Sequence, residues 1–304
     1  MGTDLHGAGA TAVAVAAARA LESARPDALV RDPWAAALVS ASGIQIPYPA
    51  MWPDDVSAVG PLEQSLLLGS LYIGLRTRFI DDELAAGGLR QVVILGSGLD
   101  TRSWRLDWPV GTTVFELDRA EVLAFTGAVL TASDAHPHCR RVAVAADVTG
   151  PWASKVLASG FVPSEPTHWV LEGLLPYLPA FDQESILDDV VHLSAPGSRI
   201  VLERAVAIED TPEARARLTS FAQSTGLPID EVLARTDPPD PAALLLRAGW
   251  DAAPMTIPQL ELRYARSIRV SDDLPAPGPS RGGFITGHRP AGDPPAASRR
   301  PAVP

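Results

Sequence analysis

The chain contains 304 residues, of which 46% are hydrophobic and 20% charged, a balance typical of a globular protein with a sizeable core. Its 25 Lys and Arg residues and 36 Asp and Glu residues give a formal net charge of −11, which disfavours nucleic acids and anionic membrane surfaces as partners. A single cysteine excludes a disulfide and a cysteine-cluster metal site, and no uncharged apolar run could cross a bilayer, so we expect a cytoplasmic protein without a metal.

The first 88 residues are predicted to be helical. One helix covers TAVAVAAARALES and ends before Pro26, a second covers AAALVSAS, and a third covers about 62–86. Four prolines in residues 43–61 place a loop between the second and third helices.

From residue 91 onward, strand patterns alternate with helix patterns, which predicts parallel βαβ units and a doubly wound α/β sheet. Parallel strands are covered by helices on both faces, which explains why these runs are almost entirely apolar. The predicted strands are 91–95, 112–117, 141–146, 167–172 and 197–207, with further candidates in WDAAPMTI and GGFITGH. The clearest helices between them are 119–130 and 182–194.

The chain is interpreted as one domain, residues 1–288, followed by a Pro- and Ala-rich tail, 289–304, that we expect to be disordered. Residues 209–239 are predicted to form one or two helices inserted after the fifth strand, and PAALLLRAGW forms another helix. Within the domain we distinguish a helical N-terminal part, a ligand-binding core, a helical insertion and the C-terminal part of the sheet: 1–88, 89–207, 208–240 and 241–288.

Ligands of a doubly wound sheet bind outside the carboxyl ends of its strands. The candidate binding residues are those that follow the first four strands: Gly96, Gly98, Glu116, Asp118, Asp147 and Glu172. The two glycines match the start of a dinucleotide-binding fingerprint, so an NAD(P)-dependent oxidoreductase is one interpretation. However, Thr101 stands at the third glycine position, and Asp100 would place a negative charge where a pyrophosphate binds.

A nucleoside without phosphates fits these residues better. A carboxylate can accept hydrogen bonds from both ribose hydroxyls, and Asp118 or Glu116 is suitably placed for this. Asp147 suits the adenine amino group, with a backbone contact from Val148 beside it. Arg76 and Arg78, on the helix before the first strand, offer cations for a carboxylate. S-adenosylmethionine combines these groups, and we expect it to be the cofactor.

Five segments together resemble the leucine carboxyl methyltransferase family, and most closely its bacterial branch of polyketide carboxyl methyltransferases. They occur in order as ARALESARPDALVRDPWAAALV (18–39), RTRFIDD (76–82), VVILGSGLDTRSWRL (92–106), FELDRAEVL (115–123) and WVLEGLLPYL (169–178). The resemblance implies a Rossmann-like class I methyltransferase sheet of seven, mainly parallel strands with an N-terminal helical cap and an inserted helical lid.

The resemblance also implies roles for individual residues. Arg76 would bind the methionine carboxylate, Gly96 and Gly98 would contact the cofactor, and Asp118 would bind the ribose. Asp147 and Val148 would bind the adenine, Glu172 would face the methionine amino end, and Tyr177 would lie near the methyl acceptor. The helices at 11–40, with Arg19, would cover the cofactor.

These interpretations predict an O-methyltransferase that acts by in-line methyl transfer. A carboxylate acceptor on a small natural product is ionised at neutral pH and needs no general base, whereas a hydroxyl acceptor does. A non-catalytic cofactor-binding protein is the remaining alternative, and neither the acceptor nor the oligomeric state follows from the sequence. Four of the histidines outside these segments are interpreted as surface or structural residues: His136, His138, His192 and His168, the last at a solvent-exposed strand end.

Overall fold

A computed structural model describes residues 5, 8–56, 58–204, 211–226, 238–269 and 282–291. These residues form one sheet of seven strands in the order β3-β2-β1-β4-β5-β7-β6. The strands are β1 Gln91–Leu95, β2 Thr113–Asp118, β3 Arg140–Ala145, β4 Thr167–Leu171, β5 Arg199–Glu203, β6 Asp251–Met255 and β7 Phe284–His288. The first five are parallel, whereas β7 runs antiparallel to both β5 and β6.

Helices cover both faces of this sheet, and the predicted fold class is confirmed. They are α1 Ala8–Ser23, α2 Ala35–Ser42, α3 Pro61–Gly87, α4 Arg102–Arg105, α5 Ala120–Ala132, α6 Trp152–Ala158, α7 Ala180–Leu193, α8 Pro212–Thr225, and the helices Pro241–Arg247 and Ile257–Tyr264. None of those in the described ranges combines the length and the apolar character needed to cross a bilayer.

The central strand β1 shows why its sequence is apolar at every position. Val93 and Leu95 pack into the core on one face of the sheet, and Val92 and Ile94 pack into the core on the other. Because β1 pairs with β2 on one side and β4 on the other, the topological switch point lies at its carboxyl end. The chain order therefore places the candidate binding residues at one edge of the sheet.

Several predicted elements extend beyond the observed ones. The strand predicted at WDAAPMTI ends at Met255, because Thr256 caps the next helix through a reciprocal pair of hydrogen bonds with Gln259. The predicted strand 197–207 is observed at Arg199–Glu203, and residues 205–207 lie outside the described ranges. Helix α8 confirms a helix in the predicted insertion, whereas residues 227–237 and the tail after residue 291 also lie outside those ranges.

The prediction that His168 lies at a solvent-exposed strand end is wrong. The side chain is 2% exposed, because the C-terminal end of α3 packs over the start of β4. A Cβ atom at Gly87 would lie 2.7 Å from Nδ1 of His168, so only a glycine permits this packing. Burial, together with the nearby charge of Arg199, lowers the pKa of His168 to about 3.

This buried imidazole predicts a measurable loss of stability in weak acid. The unfolded chain takes up a proton near pH 6.5, whereas the folded protein resists protonation until about pH 3, so the free energy of unfolding falls throughout that interval. Between pH 7 and pH 4.5 we expect the wild type to lose roughly 2–3 kcal/mol more than His168→Gln, measured by denaturant unfolding. Equal losses in the two proteins would show that His168 is accessible to protons.

Candidate functional site

A cavity of about 480 Å³ lies at the carboxyl ends of the parallel strands. All eight residues predicted to bind the cofactor or act near the acceptor line it: Arg76, Gly96, Gly98, Asp118, Asp147, Val148, Glu172 and Tyr177. Helix α1 contributes five residues to the lining, namely Gly9, Thr11, Ala12, Val15 and Arg19, and so covers the cavity from one side. The structure thus brings the predicted residues together, while their individual roles stay predictions.

The turn after β1 leaves bare backbone against the cavity. Gly96 and Gly98 have φ values of +66° and +52°, in the left-handed region that favours glycine. A Cβ atom at Gly96 would lie 3.0 Å from Leu174, and one at Gly98 would lie 3.3 Å from Ala12 of α1. Any larger residue would therefore strain the turn and push against the wall of the cavity.

Asp118, the last residue of β2, is the carboxylate that faces this turn. Its Oδ2 accepts a 2.7 Å hydrogen bond from the Gly98 N–H, and its Oδ1 accepts one of 2.7 Å from the Arg119 N–H. Burial raises the pKa of Asp118, and the two N–H donors partly oppose that effect. Since each carboxylate oxygen has two lone pairs, both can accept a further hydrogen bond from a ligand.

Glu116, the alternative ribose-binding candidate, does not line the cavity. It lies one pleat deeper in β2 and is 1% exposed. Its oxygens accept hydrogen bonds from Ser103 Oγ at 2.5 Å and Arg141 Nε at 2.7 Å. Because Glu116 is buried away from the cavity, the candidate ribose carboxylate is Asp118.

Asp147 and Val148 line the cavity just beyond β3. Asp147 is exposed, and its Oδ1 accepts hydrogen bonds from the Thr149 N–H at 2.9 Å and the Thr149 hydroxyl at 2.8 Å. These bonds lower the pKa of Asp147, so the carboxylate is ionised at neutral pH and can accept from an amino group.

Arg76 of α3 reaches the cavity, whereas Arg78 does not. Arg76 Nε lies 2.8 Å from Glu172 Oε1 and Nη1 donates to Glu203 Oε2 at 2.8 Å, and Tyr72 also donates to Glu203. Arg78 points outward and pairs with Asp82, with its side chain 46% exposed. Glu203 is not among the sequence candidates, because it is the last residue of β5, a strand that the sequence predicts to continue to residue 207.

Arg102 holds the carboxylates at this end of the cavity together. The side chain is 2% exposed and donates to Asp81 at 2.7 Å, Asp100 at 2.5 Å and Glu172 at 2.6 Å. Burial alone would raise the pKa of Glu172, but the charges of Arg102 and Arg76 outweigh it and lower the pKa to about 2. Glu172, predicted to face a ligand ammonium, is thus ionised and already paired with two arginines.

The charged cluster has a formal net charge of −1. Its members are Arg19, Arg76, Arg102 and Arg105 with Asp32, Asp81, Asp100, Glu172 and Glu203, four cations against five anions. Arg19 also ties α1 to the glycine turn, since it donates to the Leu99 carbonyl at 2.6 Å. The cavity lining itself carries five arginines and four carboxylates, a mixture that suits a ligand with charged groups of both signs.

A dinucleotide fits the same site poorly. Asp100 Oδ1 accepts a 2.6 Å hydrogen bond from the Arg102 N–H, where helix α4 begins. A pyrophosphate would need that N–H group and would lie against the Asp100 carboxylate. The structure therefore disfavours the oxidoreductase interpretation.

The described lining of the cavity contains no His, Lys or Cys. Tyr177, in the 3₁₀ turn Leu175–Tyr177, is the only phenol among these residues. No group of three or more His, Cys, Asp or Glu side chains in the described ranges is arranged to bind a metal ion. For proton transfer, the described lining offers carboxylates and one phenol but no imidazole, amine or thiol.

Comparison with known proteins gives a consistent result. The sequence model of the family described as leucine carboxyl methyltransferase matches residues 12–191. A protein from Parafrankia, whose name gives S-adenosyl-L-methionine-dependent methyltransferase as an inferred activity, is 47% identical to this chain. The match covers 69% of this chain and 67% of the Parafrankia protein. A Mycolicibacterium smegmatis protein with the same inferred activity is 40% identical over 87% of this chain and 91% of its own.

The fold is also found among solved structures. A DUF574 family protein from Streptomyces avermitilis aligns with 84% of this chain and 96% of its own, with a TM-score of 0.51 and 15% sequence identity. At that identity the likeness concerns the fold alone.

Proposed function

This chain belongs to the leucine carboxyl methyltransferase family of S-adenosylmethionine-dependent enzymes, and from that premise we propose that it methylates a carboxylate oxygen of a small molecule. A natural product is the acceptor class that the bacterial branch suggests. Two features support this proposal: the polar groups of the cavity match those of the cofactor, and its described lining contains no His, Lys or Cys.

The residues of the cavity fit S-adenosylmethionine. Asp118 has a lone pair free on each oxygen for the ribose hydroxyls, and Asp147 is an ionised acceptor for the adenine amino group. Arg76 provides a guanidinium for the methionine carboxylate, and Glu172 beside it provides a carboxylate for the ammonium. The cofactor carries a sulfonium, an ammonium and one carboxylate, which gives a net charge of +1.

The observation that carries the choice of acceptor is that the described lining contains no His, Lys or Cys, while Asp100 and Glu172 are paired with arginines. Its two other carboxylates, Asp118 and Asp147, are those we assign to the cofactor. When bound, the cofactor supplies an electrophilic methyl group on a sulfonium, and the new O–C bond forms as the C–S bond breaks. A carboxylate oxygen can attack without losing a proton, since its pKa is near 4. The protein then has to align the reactants and exclude water, and α1 with the turn after β4 encloses the cavity for this purpose.

Tyr177 is proposed to orient the acceptor through its hydroxyl rather than to remove a proton. We therefore expect Tyr177→Phe to raise KM for a carboxylic acid acceptor about threefold to tenfold, the scale of one neutral hydrogen bond, with little change in kcat. The measurement is transfer of a labelled methyl group to a panel of carboxylic acids, with kcat followed from pH 6 to pH 9. The profile should be flat in both proteins, because the acceptor is ionised throughout.

A matched panel of phenols and alcohols is the control. Transfer to phenols alone, with a kcat that rises with pH and collapses in Tyr177→Phe, would contradict the carboxylate proposal. Binding of S-adenosylhomocysteine without methyl transfer to any acceptor would instead support a non-catalytic cofactor-binding protein.

A further inference from the structure

Helix α3 contributes two consecutive residues to the cavity wall, Arg76 and Thr77. Thr77 is 1% exposed, and its hydroxyl has no hydrogen-bond partner within the described part of the protein. A helical threonine hydroxyl commonly bonds to a carbonyl one turn earlier, but Thr77 does not. Ser70, two turns earlier and also buried, donates to the Ala18 carbonyl at 2.9 Å. The unpaired hydroxyl of Thr77 is therefore a local feature of the cavity wall.

The partners of the Arg76 guanidinium indicate what the Thr77 hydroxyl could bind. Nη1 donates a hydrogen bond to Glu203, and Nε forms an ion pair with Glu172 at 2.8 Å without hydrogen-bond geometry. Among the described residues, Nη2 takes part in neither of these ion pairs, and we take it as the nitrogen that remains for a ligand. A carboxylate has two oxygens, and one nitrogen of Arg76 serves only one of them well, so the second oxygen requires another donor.

We infer that the Thr77 hydroxyl is that donor, so that Arg76 Nη2 and Thr77 Oγ1 together bind the α-carboxylate of the cofactor. This inference rests on the proposed function, since it takes S-adenosylmethionine as the ligand. The residues are adjacent in α3 and line the same cavity, and a buried hydroxyl without a partner costs stability that a bound carboxylate would restore.

Thr77→Val tests the inference because it removes the hydroxyl and keeps the shape of the side chain. Calorimetry should show S-adenosylhomocysteine binding about tenfold more weakly, with binding of 5′-methylthioadenosine, which lacks the amino-acid part, unchanged. Thr77→Ser should restore the wild-type affinity. The melting temperature of the ligand-free Thr77→Val protein should not fall, since no internal hydrogen bond is lost.

Thr112→Val is the matched control. Thr112 is also 1% exposed, but it precedes β2 at the opposite edge of the sheet and donates to the Pro109 carbonyl at 2.7 Å. This variant should have a lower melting temperature and an unchanged affinity for both ligands. Wild-type affinity of Thr77→Val for S-adenosylhomocysteine, or an equal loss for both ligands, would overturn the inference. A wild-type protein that binds neither ligand would overturn the proposed function itself, whatever the variants do.

Discussion

Replacing Arg102 with methionine should lower the free energy of unfolding by about 3–5 kcal/mol, the scale for removing one partner of a buried ion pair. The guanidinium is the shared partner of Asp81, Asp100 and Glu172, all three of which are almost enclosed by protein. Methionine preserves much of the side-chain volume, so the loss reports the uncompensated carboxylates rather than a cavity. Denaturant unfolding at pH 7 measures the effect.

The pH dependence identifies the cause of this loss. The contribution of Glu172 is present above about pH 4.5 and disappears as the pH falls toward 2, because its pKa is lowered to about 2 in the folded protein. The difference between wild type and Arg102→Met should therefore shrink in acid. A difference that stays constant from pH 7 to pH 3 would mean that Arg102 acts through packing.

Two further variants keep this prediction testable. Arg102→Lys retains the charge but not the three-way geometry, and should lose less stability than Arg102→Met. Arg78→Met removes an arginine from α3 that pairs with Asp82 near the surface, and should cost less than about 1 kcal/mol. If Arg102→Met were as stable as Arg78→Met, the buried cluster would not stabilise the fold.

Residues at strand ends could be predicted from the sequence, because a doubly wound sheet brings those ends to one edge. Asp118 and Glu172 were found in this way, and each lines the cavity. The role of Arg102 could not be found, since two of its partners, Asp81 and Glu172, lie 21 and 70 residues away in the chain. A sequence pattern specifies the face of a strand or helix, but not which distant charges meet there.

Two other differences between prediction and structure concern the end of β6 and the exposure of His168. The residues TIPQ contain the capping sequence of the helix Ile257–Tyr264, but an apolar run before them extended the predicted strand. The burial of His168 is a second such difference. A polar residue at the start of an apolar strand predicts contact with solvent. The burial of His168 depends on α3, whose Gly87 leaves the necessary space. Tertiary packing decided both cases.

Asp118→Ala should weaken binding of S-adenosylhomocysteine by about 1.5–3 kcal/mol, or roughly 10- to 150-fold, the range for hydrogen bonds to a charged group. The carboxylate is the cavity-lining acid at the end of β2, and both of its oxygens have a lone pair left after the Gly98 and Arg119 N–H groups are bound. Calorimetry measures the affinity, and circular dichroism checks that the variant is folded.

Glu116→Gln is the control that distinguishes ribose recognition from a general effect of removing charge. Glu116 lies two residues earlier in the same strand, but its oxygens bind Ser103 and Arg141 away from the cavity. We expect this variant to lose stability and to retain the affinity for S-adenosylhomocysteine, because only Asp118 faces the glycine turn. A folded Asp118→Ala protein with wild-type affinity, or an equal loss in Glu116→Gln, would show that the ribose is bound elsewhere. The assignment of the whole cavity to a nucleoside would then be wrong.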